Sequence, residues 1–253
     1  MRTKPLTFLL ALTFLFLFSG SVYGQETEVK KEFYDNGKLK SEKPYNGLAT
    51  WWYETGGKEQ ERHLKNGKEE GLTTFWYKTG EKELEALHKN GDLEGLATRW
   101  YKTGGKEFEV LHKNGKTEGQ RKVWYETGEK KGESDWKDGK IEGLATGWYE
   151  NGRKKSEVYY KNGELEGLST RWYNGWDING EKYHEVHYKN GKEEGLETFW
   201  YRNGNKAYIK HYKNGIENGI RKEWDEDGNK IKEQYYKNGQ PEGVIGRLIR
   251  FLK

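Results

Sequence analysis

The chain has 253 residues, a formal net charge of +4 and 34% charged residues, whereas only 32% of its residues are hydrophobic. Such a composition is typical of disordered chains, but 15% of the residues are aromatic, and aromatic rings bury large areas. With so few hydrophobic residues we do not expect a single deep core, and the aromatic content favours a thin structure stabilised by aromatic packing. The nearly balanced, interspersed charges do not indicate nucleic-acid binding. Because the sequence contains no cysteine, disulfides, thiol catalysis and cysteine-ligated metals are excluded.

The first 24 residues predict a secretory signal peptide. A short basic segment precedes the apolar stretch Leu6–Phe18, and small residues then lead to a cleavage position between Gly24 and Gln25. The apolar stretch is shorter than the about 20 residues that a membrane-spanning helix needs, so we expect no transmembrane span after cleavage. An uncleaved anchor is the alternative. We expect residues 25–32 to be a linker and residues 33–253 to form one repeat domain.

From residue 33 onwards the sequence repeats with a period of about 24 residues, apart from one step of 28. A fixed period in this range indicates a repeat architecture. The residues predicted to build each unit are the tryptophans Trp52, Trp76, Trp100, Trp124, Trp148, Trp172, Trp200 and Trp224, and the glycines Gly71, Gly95, Gly119, Gly143, Gly167, Gly195 and Gly219.

Each unit contains two predicted turns joined by short strands. One turn resembles "KNGK" and the other "ETGG" or "ENGR", and Asn-Gly supplies the positive φ angles that tight hairpins need. The segments between turns, such as "KSEVYY" and "LSTRWY", are rich in aromatic and β-branched residues and too short for ordinary helices. The sequence therefore predicts an all-β fold: a twisted, elongated antiparallel meander of hairpins, with two strands per unit.

The register follows if Asn151 and Gly152 form a two-residue turn. Tyr160 then lies opposite Gly143, and Glu157 lies opposite Thr146. We expect the ring to cover the bare glycine, and the Glu–Thr pair to contribute roughly 0.2–1 kcal/mol. On the strand that follows, the same reasoning places Leu168 opposite Glu157.

One unit departs from the period because Tyr173–Tyr183 carries four extra residues. If Glu185 still faces Thr170, both strands lengthen by two residues and the hairpin projects beyond its neighbours. Repeat insertions often map to the binding face, and interface hot spots are enriched in tryptophan. Trp176, Ile178 and Tyr183 are therefore the predicted binding residues. A tolerated loop elongation is the alternative.

The last stretch, "GVIGRLIRFLK", places Leu248 where tryptophan is expected. We interpret it as a capping strand, with a short amphipathic helix as the alternative. Terminal units of repeat proteins commonly act as caps.

The segments "YYKNGELEGLSTRWYNG" and "YKNGKEEGLETFWYRNG" carry a recognisable motif. The pattern Tyr-x-Asn-Gly-x-x-x-Gly-x-x-x-x-Trp-Tyr-x-x-Gly resembles bacterial MORN-repeat variant proteins, which include YwqK-type antitoxins. The resemblance covers roughly residues 30–250. It implies a MORN-like elongated hairpin sheet and a role in protein interaction or at a membrane.

The sequence predicts no catalytic residue, no metal site and no cofactor. The recurring glutamates would make every unit an active site, which favours structural pairing. The leading hypothesis is an exported, non-enzymatic scaffold for a protein or envelope-polymer partner, located in the periplasm, on the cell surface or outside the cell. One alternative is a cell-surface or periplasmic carbohydrate-binding protein that uses the aromatic ladder. Another is an antitoxin-like or immunity protein.

Overall fold

The computed structural model describes residues 29–174 and 181–243, and every regular element in this part of the chain is a β-strand. The all-β prediction is therefore confirmed. The strands are β1 (Lys30–Phe33), β2 (Leu39–Lys43), β3 (Gly47–Trp52), β4 (Lys58–Lys65), β5 (Lys68–Trp76), β6 (Lys82–Lys89), β7 (Asp92–Trp100), β8 (Lys106–Lys113), β9 (Lys116–Trp124), β10 (Lys130–Lys137), β11 (Lys140–Trp148), β12 (Lys154–Lys161), β13 (Glu164–Trp172), β14 (Lys182–Lys189), β15 (Lys192–Trp200), β16 (Lys206–Lys213), β17 (Ile216–Glu217), β18 (Gly219–Trp224), β19 (Lys230–Lys237) and β20 (Gln240–Pro241).

The chain limits of the repeat region differ from the prediction at the N-terminal end. β1 begins at Lys30, inside the segment predicted to be a linker. The predicted signal peptide, with Gly24 and Gln25, and the predicted capping strand around Leu248 lie outside the described residues.

The strands form one open antiparallel sheet in chain order. Each strand pairs with its neighbours in sequence, except that β17 and β18 are two parts of one interrupted strand and both pair with β16. In the described residues β1 pairs only with β2, and β20 only with β19. Each repeat therefore contacts the repeats before and after it, as in other linear repeat proteins.

The Asn-Gly turns are two-residue hairpins, and each rests on the repeat before it. Asn114 and Gly115 both have positive φ, at 50° and 73°, as a type I′ turn requires. Gly115 N–H donates to the Leu93 carbonyl at 2.9 Å, and Asn114 N–H donates to the Glu94 carboxylate at 2.7 Å. The turn amides thus find acceptors one repeat earlier. The carboxylates that accept in this way are those of Glu70, Glu94, Glu118, Glu142, Glu166 and Glu194.

The second turn of each unit is longer than predicted. Tyr149 N–H donates to the Arg153 carbonyl at 2.8 Å, and Gly152 N–H donates to the Tyr149 carbonyl at 2.9 Å, so three residues form the loop instead of two. A one-residue bulge at Lys155 compensates for this difference. The expected register beyond the bulge is therefore confirmed. Tyr160 faces Gly143 and Glu157 faces Thr146, as predicted. The same register applied to the other units is also confirmed, pairing His88 with Gly71, His112 with Gly95, Trp136 with Gly119, Tyr212 with Gly195, and Tyr236 with Gly219.

The register on the other side of each glutamate was predicted wrongly. Glu157 faces Thr170 instead of Leu168, because one residue of β12 faces three residues of β13 around Gly167. Gly167 has φ +75°, a conformation that side chains disfavour, and the bulge slides the register by two residues without exchanging the faces. At Gly143 a Cβ would meet no atom within 4 Å, so the ring of Tyr160 does not exclude a side chain there. Glycine is favoured at this position because its φ is +79°.

A tyrosine hydroxyl joins each repeat to the next. It donates to the backbone carbonyl of the following repeat's tryptophan over 2.6–2.9 Å. The donors are Tyr34, Tyr53, Tyr77, Tyr101, Tyr125, Tyr149, Tyr173 and Tyr201. This bond explains why tyrosine follows tryptophan in the repeat. It is kept across the insertion, from Tyr173 to Trp200.

Side chains alternate between two faces of the sheet. The face that carries the tryptophans and the line of Glu157, Thr146 and their equivalents is called the glutamate face. The opposite face is called the arginine face, because Arg62, Arg99, Arg121, Arg171 and Arg221 lie on it. A small core of Ala86, Ala97 and Val110, with Leu93 and Phe108 packed against it, lies on the arginine face.

Candidate binding surfaces

The structure places one of the three predicted binding residues. Tyr183 is half-buried, and its ring centroid lies 5.0 Å from that of Tyr173 and 5.4 Å from that of Phe199. Trp176 and Ile178 lie outside the described residues. Tyr183 thus packs in an aromatic cluster at the edge of the arginine face.

The strands of the inserted hairpin are not lengthened in the described residues. Thr170 faces Glu185, as predicted, but β13 ends at Trp172 and β14 begins at Lys182, the positions where the equivalent strands end and begin. The prediction of two extra residues per strand is therefore wrong. The one-residue bulge is retained, at Tyr183, so the four extra residues fall between Trp172 and Lys182.

The repeat tryptophans are half-buried on the glutamate face, and lysines lie over the rings of Trp76, Trp148 and Trp172. Lys130 Nζ lies 5.0 Å from the ring centroid of Trp148, and Lys154 Nζ lies 5.9 Å from that of Trp172. These are cation–π distances. These three rings are therefore not free on both faces to stack on a ligand, and the partial burial of all eight fits packing within the sheet.

The glutamates of this face form a line of ion pairs. Each pairs with the lysine three residues earlier and lies beside threonine or lysine on the flanking strands. The pairs are Lys58–Glu61, Lys82–Glu85, Lys106–Glu109, Lys130–Glu133, Lys154–Glu157, Lys182–Glu185 and Lys230–Glu233. The repetition of one pairing fits a structural role.

A row of exposed apolar side chains runs across the glutamate face. Members pair across strands, as Leu72 does with Leu87 and Leu96 does with Leu111. Gln120 facing Asp135 divides the row into two parts. Its apolar members are between 37% and 54% exposed: Leu48, Leu72, Leu87, Leu96, Leu111, Leu144, Tyr159, Leu168, Leu196 and Ile220. Repeated exposure of large apolar groups in one row is typical of an interaction surface.

The arginine face is charged, and most of its charges are paired. Arg62 pairs with Glu69 at 2.5 Å, and Arg99 pairs with Glu83 at 2.9 Å and Glu107 at 3.3 Å. Such guanidinium–carboxylate contacts are the stronger class of hydrogen bond.

Near the C-terminal end of this face, His184 and Glu197 form a buried pair. His184 Nε2 lies 2.8 Å from Glu197 Oε1, and Lys210 Nζ lies 3.7 Å from Glu197 Oε2. Burial raises the pKa of Glu197, but the hydrogen bond from His184 and the charge of Lys210 outweigh it, so the pKa is lower than usual. Burial and the Glu197 charge raise the pKa of Tyr208 to about 12.

Histidines elsewhere on this face are also engaged or buried. His88 Nε2 lies 3.0 Å from Glu69 Oε2. Burial, with a smaller contribution from His88, lowers the pKa of His112. Across residues 29–174 and 181–243, no three His, Asp or Glu side chains gather as ligands for a metal ion. In the same residues, no helix is long and apolar enough to cross a membrane.

An open sheet of hairpin repeats defines the class of the protein as a linear β-repeat protein. Comparison with known families identifies the repeats. The MORN repeat variant family matches residues 29–46, 45–66, 141–162, 193–214 and 217–240. The chain is a MORN-repeat variant protein. No curated protein matches the chain.

The sequence reasoning missed the charge pattern of the arginine face. The sequence signal is the residue directly after the first lysine of the strand, such as Glu83, which follows Lys82 and precedes Leu84. This residue is the extra residue of the bulge. Without the bulge, strand alternation does not place Glu83 beside Arg99, so the pairing could not be read from a strict two-residue period.

Proposed function

We propose that the protein is an exported, non-enzymatic scaffold that binds a protein partner along the apolar row of the glutamate face. The observation that carries the proposal is the row itself. Its large apolar side chains are at least 37% exposed, and several pair on neighbouring strands: Leu72 with Leu87, Leu96 with Leu111, and Leu144 with Tyr159. Leu48, Leu168 and Leu196 face histidines instead. With adjacent strands about 4.8 Å apart, the row offers two strips of contact, one on each side of Gln120 and Asp135.

A protein partner fits this row better than a carbohydrate does. The row consists mainly of leucines, whereas carbohydrate binding by the aromatic ladder needs free ring faces. The repeat tryptophans are half-buried, and lysines such as Lys130 and Lys154 lie over their rings. Burial of apolar side chains stabilises protein association by roughly 25 cal/mol per Å² before the costs of association.

The row is tested with the double variant Leu96→Gln, Leu111→Gln. Both side chains are more than 40% exposed, so the fold should persist while capture of the partner from native cells is lost. The control is Ile231→Gln, because Ile231 is 63% exposed and lies outside the row. Binding to a glycan array, with protein capture unchanged by the double variant, would favour the carbohydrate-binding alternative.

Export is a separate part of the proposal. The apolar stretch Leu6–Phe18 supports it, and the mature chain should begin near Gln25. N-terminal sequencing of exported protein measures this directly. Protein recovered outside the cytoplasm with Met1 intact would contradict cleavage.

The inserted connection is a second place where the partner is proposed to bind. Trp176, Ile178 and Tyr183 remain the residues in question. Shortening residues 173–183 to the length of the equivalent turns should leave the flanking pairs, such as Thr170 with Glu185, in register. If the shortened protein captures the partner unchanged, the connection is not part of the site.

A further inference from the structure

Two arginines on the arginine face lack the carboxylates that their equivalents have. Arg99 and Arg171 both follow threonine and precede tryptophan. Arg99 is held by Glu83 and Glu107, the bulge residues of the two flanking strands. At the corresponding bulges beside Arg171 stand Lys155 and Tyr183. Arg171 is exposed and forms no ion pair within the described residues.

Arg121 and Arg221 show the same contrast. Arg221 lies 2.6 Å from Glu223 and 3.8 Å from Glu217. At the positions equivalent to these two glutamates, Arg121 has Val123 and Thr117. In the part of the chain that the structure describes, Arg121 has no ion-pair partner, and its guanidinium lies 5.7 Å from the Phe108 ring centroid.

Small residues separate the two unpaired arginines. On the three strands between them, Gly132, Gly147 and Ser156 lie opposite one another, and Arg171 follows them in the same row. On β9 this row ends at Val123, and Arg121 lies two residues along the strand, opposite Ser134. The equivalent positions on other strands carry large side chains: Phe75, Leu84, Arg99, Phe108, His184, Phe199 and Tyr208. The sheet therefore has a depression between Arg121 and Arg171.

The backbone does not require these two glycines. Neither Gly132 nor Gly147 has positive φ. A Cβ on Gly132 would meet only the Thr146 carbonyl oxygen, at 3.6 Å, whereas a Cβ on Gly147 would meet the Ser156 hydroxyl oxygen at 2.9 Å, so that side chain would have to turn away. A glycine inside a strand weakens it and often marks the close approach of a ligand or another backbone. The neighbouring Ala145 is half-exposed, whereas Ala97 in the same line is 5% exposed. The depression is thus open to solvent.

The border of the depression is positively charged. Lys131 Nζ lies 5.3 Å from the Tyr125 ring centroid, and Lys155 Nζ lies 5.7 Å from that of Tyr149. The same bulge position holds glutamate in the three preceding repeats, at Glu59, Glu83 and Glu107. The sign of this position therefore reverses at the depression.

We propose that this depression, between Arg121 and Arg171 on the face opposite the apolar row, binds an acidic peptide segment of the partner protein. The peptide's carboxylates would contact Arg121 as Glu223 contacts Arg221, and Arg171 as Glu83 contacts Arg99. Its backbone or an apolar side chain would occupy the space above Gly132 and Gly147. This proposal rests on the proposed scaffold function and adds the chemistry of the partner.

The dimensions suit an extended peptide. Four strand spacings separate β9 from β13, about 19 Å in all, and an extended chain covers that length with about six residues. An acidic glycan fits less well, because its many hydroxyls need polar partners. The neutral polar groups of the depression are the hydroxyls of Ser134 and Ser156, and Ser134 already accepts a hydrogen bond from the Trp136 indole at 2.8 Å.

The test is fluorescence polarisation with a fluorescein-labelled octapeptide that has two glutamates at each end and Gly-Tyr-Gly-Gly between them. The full chain should bind it, and the matched peptide with glutamine in place of glutamate should bind about tenfold more weakly or not at all. Added salt should weaken binding. Oligogalacturonate is the acidic-glycan competitor.

Four variants separate the site from general charge. Arg121→Gln and Arg171→Gln should each weaken binding about tenfold, because a charged hydrogen bond is lost. Arg99→Gln and Arg221→Gln remove the same charge from the same face but should change affinity by less than about twofold, because those arginines are already paired. Equal losses in all four variants would overturn the proposal, as would failure of the glutamate peptide to bind.

Filling the depression gives a test without a charge change. The equivalent position on β6 carries Leu84, so the sheet accommodates leucine there, and Gly132→Leu should leave the melting temperature unchanged. The leucine should fill the depression, so peptide binding should be lost. Retained binding would overturn the proposed site. Binding of oligogalacturonate alone would replace the peptide by an acidic glycan. If the peptide fails to bind but Leu96→Gln, Leu111→Gln still abolishes partner capture, the scaffold function stands without this site.

Discussion

Because tyrosine–carbonyl hydrogen bonds join the repeats, removal of a single tyrosine hydroxyl should lower the stability of the sheet by a measurable amount. In Tyr101→Phe the ring stays, but the hydroxyl that donates to the Trp124 carbonyl at 2.8 Å is removed. The bond is partly buried, and burial raises the pKa of Tyr101. Loss of one such bond costs about 0.5–1.5 kcal/mol of the free energy of unfolding. Urea denaturation should detect it as a lower midpoint with an unchanged slope.

Tyr159→Phe is the matched control for this experiment. Tyr159 is 50% exposed, and among the described residues its hydroxyl has no hydrogen-bond partner, so the change should stay within about 0.5 kcal/mol of zero. Tyr77→Phe and Tyr125→Phe, four strands apart, should add to within about 0.5 kcal/mol when combined. Equal effects of Tyr101→Phe and Tyr159→Phe would refute a stabilising role for the inter-repeat bond.

Three further predictions concern the bulges, the stacked turns and the buried acid. Gly143→Ala should destabilise by about 1 kcal/mol because of the φ of +79°, whereas Gly132→Ala, at an ordinary φ, should be neutral or stabilising in thermal unfolding. Glu94→Gln should weaken the bond from Asn114 N–H and cost about 0.5–1.5 kcal/mol in urea, with no effect if the carboxylate is only solvated. Glu197 has a folded-state pKa below its unfolded value of 4.5, so its stabilising contribution is present above pH 4.5 and is lost as the pH falls through the folded pKa. Glu197→Gln should therefore flatten the stability profile below pH 4.5, and an unchanged profile would argue against that lowered pKa.

The antiparallel register was predictable where two departures from ideal hairpin geometry cancel. The Asn151-Gly152 turn was assigned one residue too short, but the bulge at Lys155 restored the pairing of Tyr160 with Gly143. Where nothing cancels, the prediction failed: the bulge around Gly167 moved Glu157 from Leu168 to Thr170. A glycine within a strand suggests bare backbone that an aromatic ring on the neighbouring strand covers. Its recurrence at one position of every unit indicates instead a backbone that needs positive φ.

The candidate sites were less predictable than the fold for a related reason. The repeat period identifies what the units share, such as the tryptophans, and these shared residues stabilise the sheet. The inserted Trp176 and Ile178 stand out by length, but they lie outside the described residues. Arg171 stands out only when its neighbours across two strands are known, because Lys155 and Tyr183 are distant from it in sequence.

In a repeat protein each unit provides an internal reference for the others, and function is expected where a unit departs from what its own architecture requires. Arg99 shows that an arginine at this position is satisfied by two carboxylates from the flanking strands, at 2.9 and 3.3 Å. Arg171 keeps the arginine and has neither carboxylate. Lys155 cannot accept a hydrogen bond and Tyr183 offers a neutral hydroxyl in place of a carboxylate, so within the described residues the guanidinium has no acidic partner. Stability alone does not explain this arrangement, because Lys155→Glu would create the pair that Arg99 forms with Glu83. That substitution should stabilise the sheet by at most about 1 kcal/mol, as exposed ion pairs do, and should abolish binding of the acidic peptide.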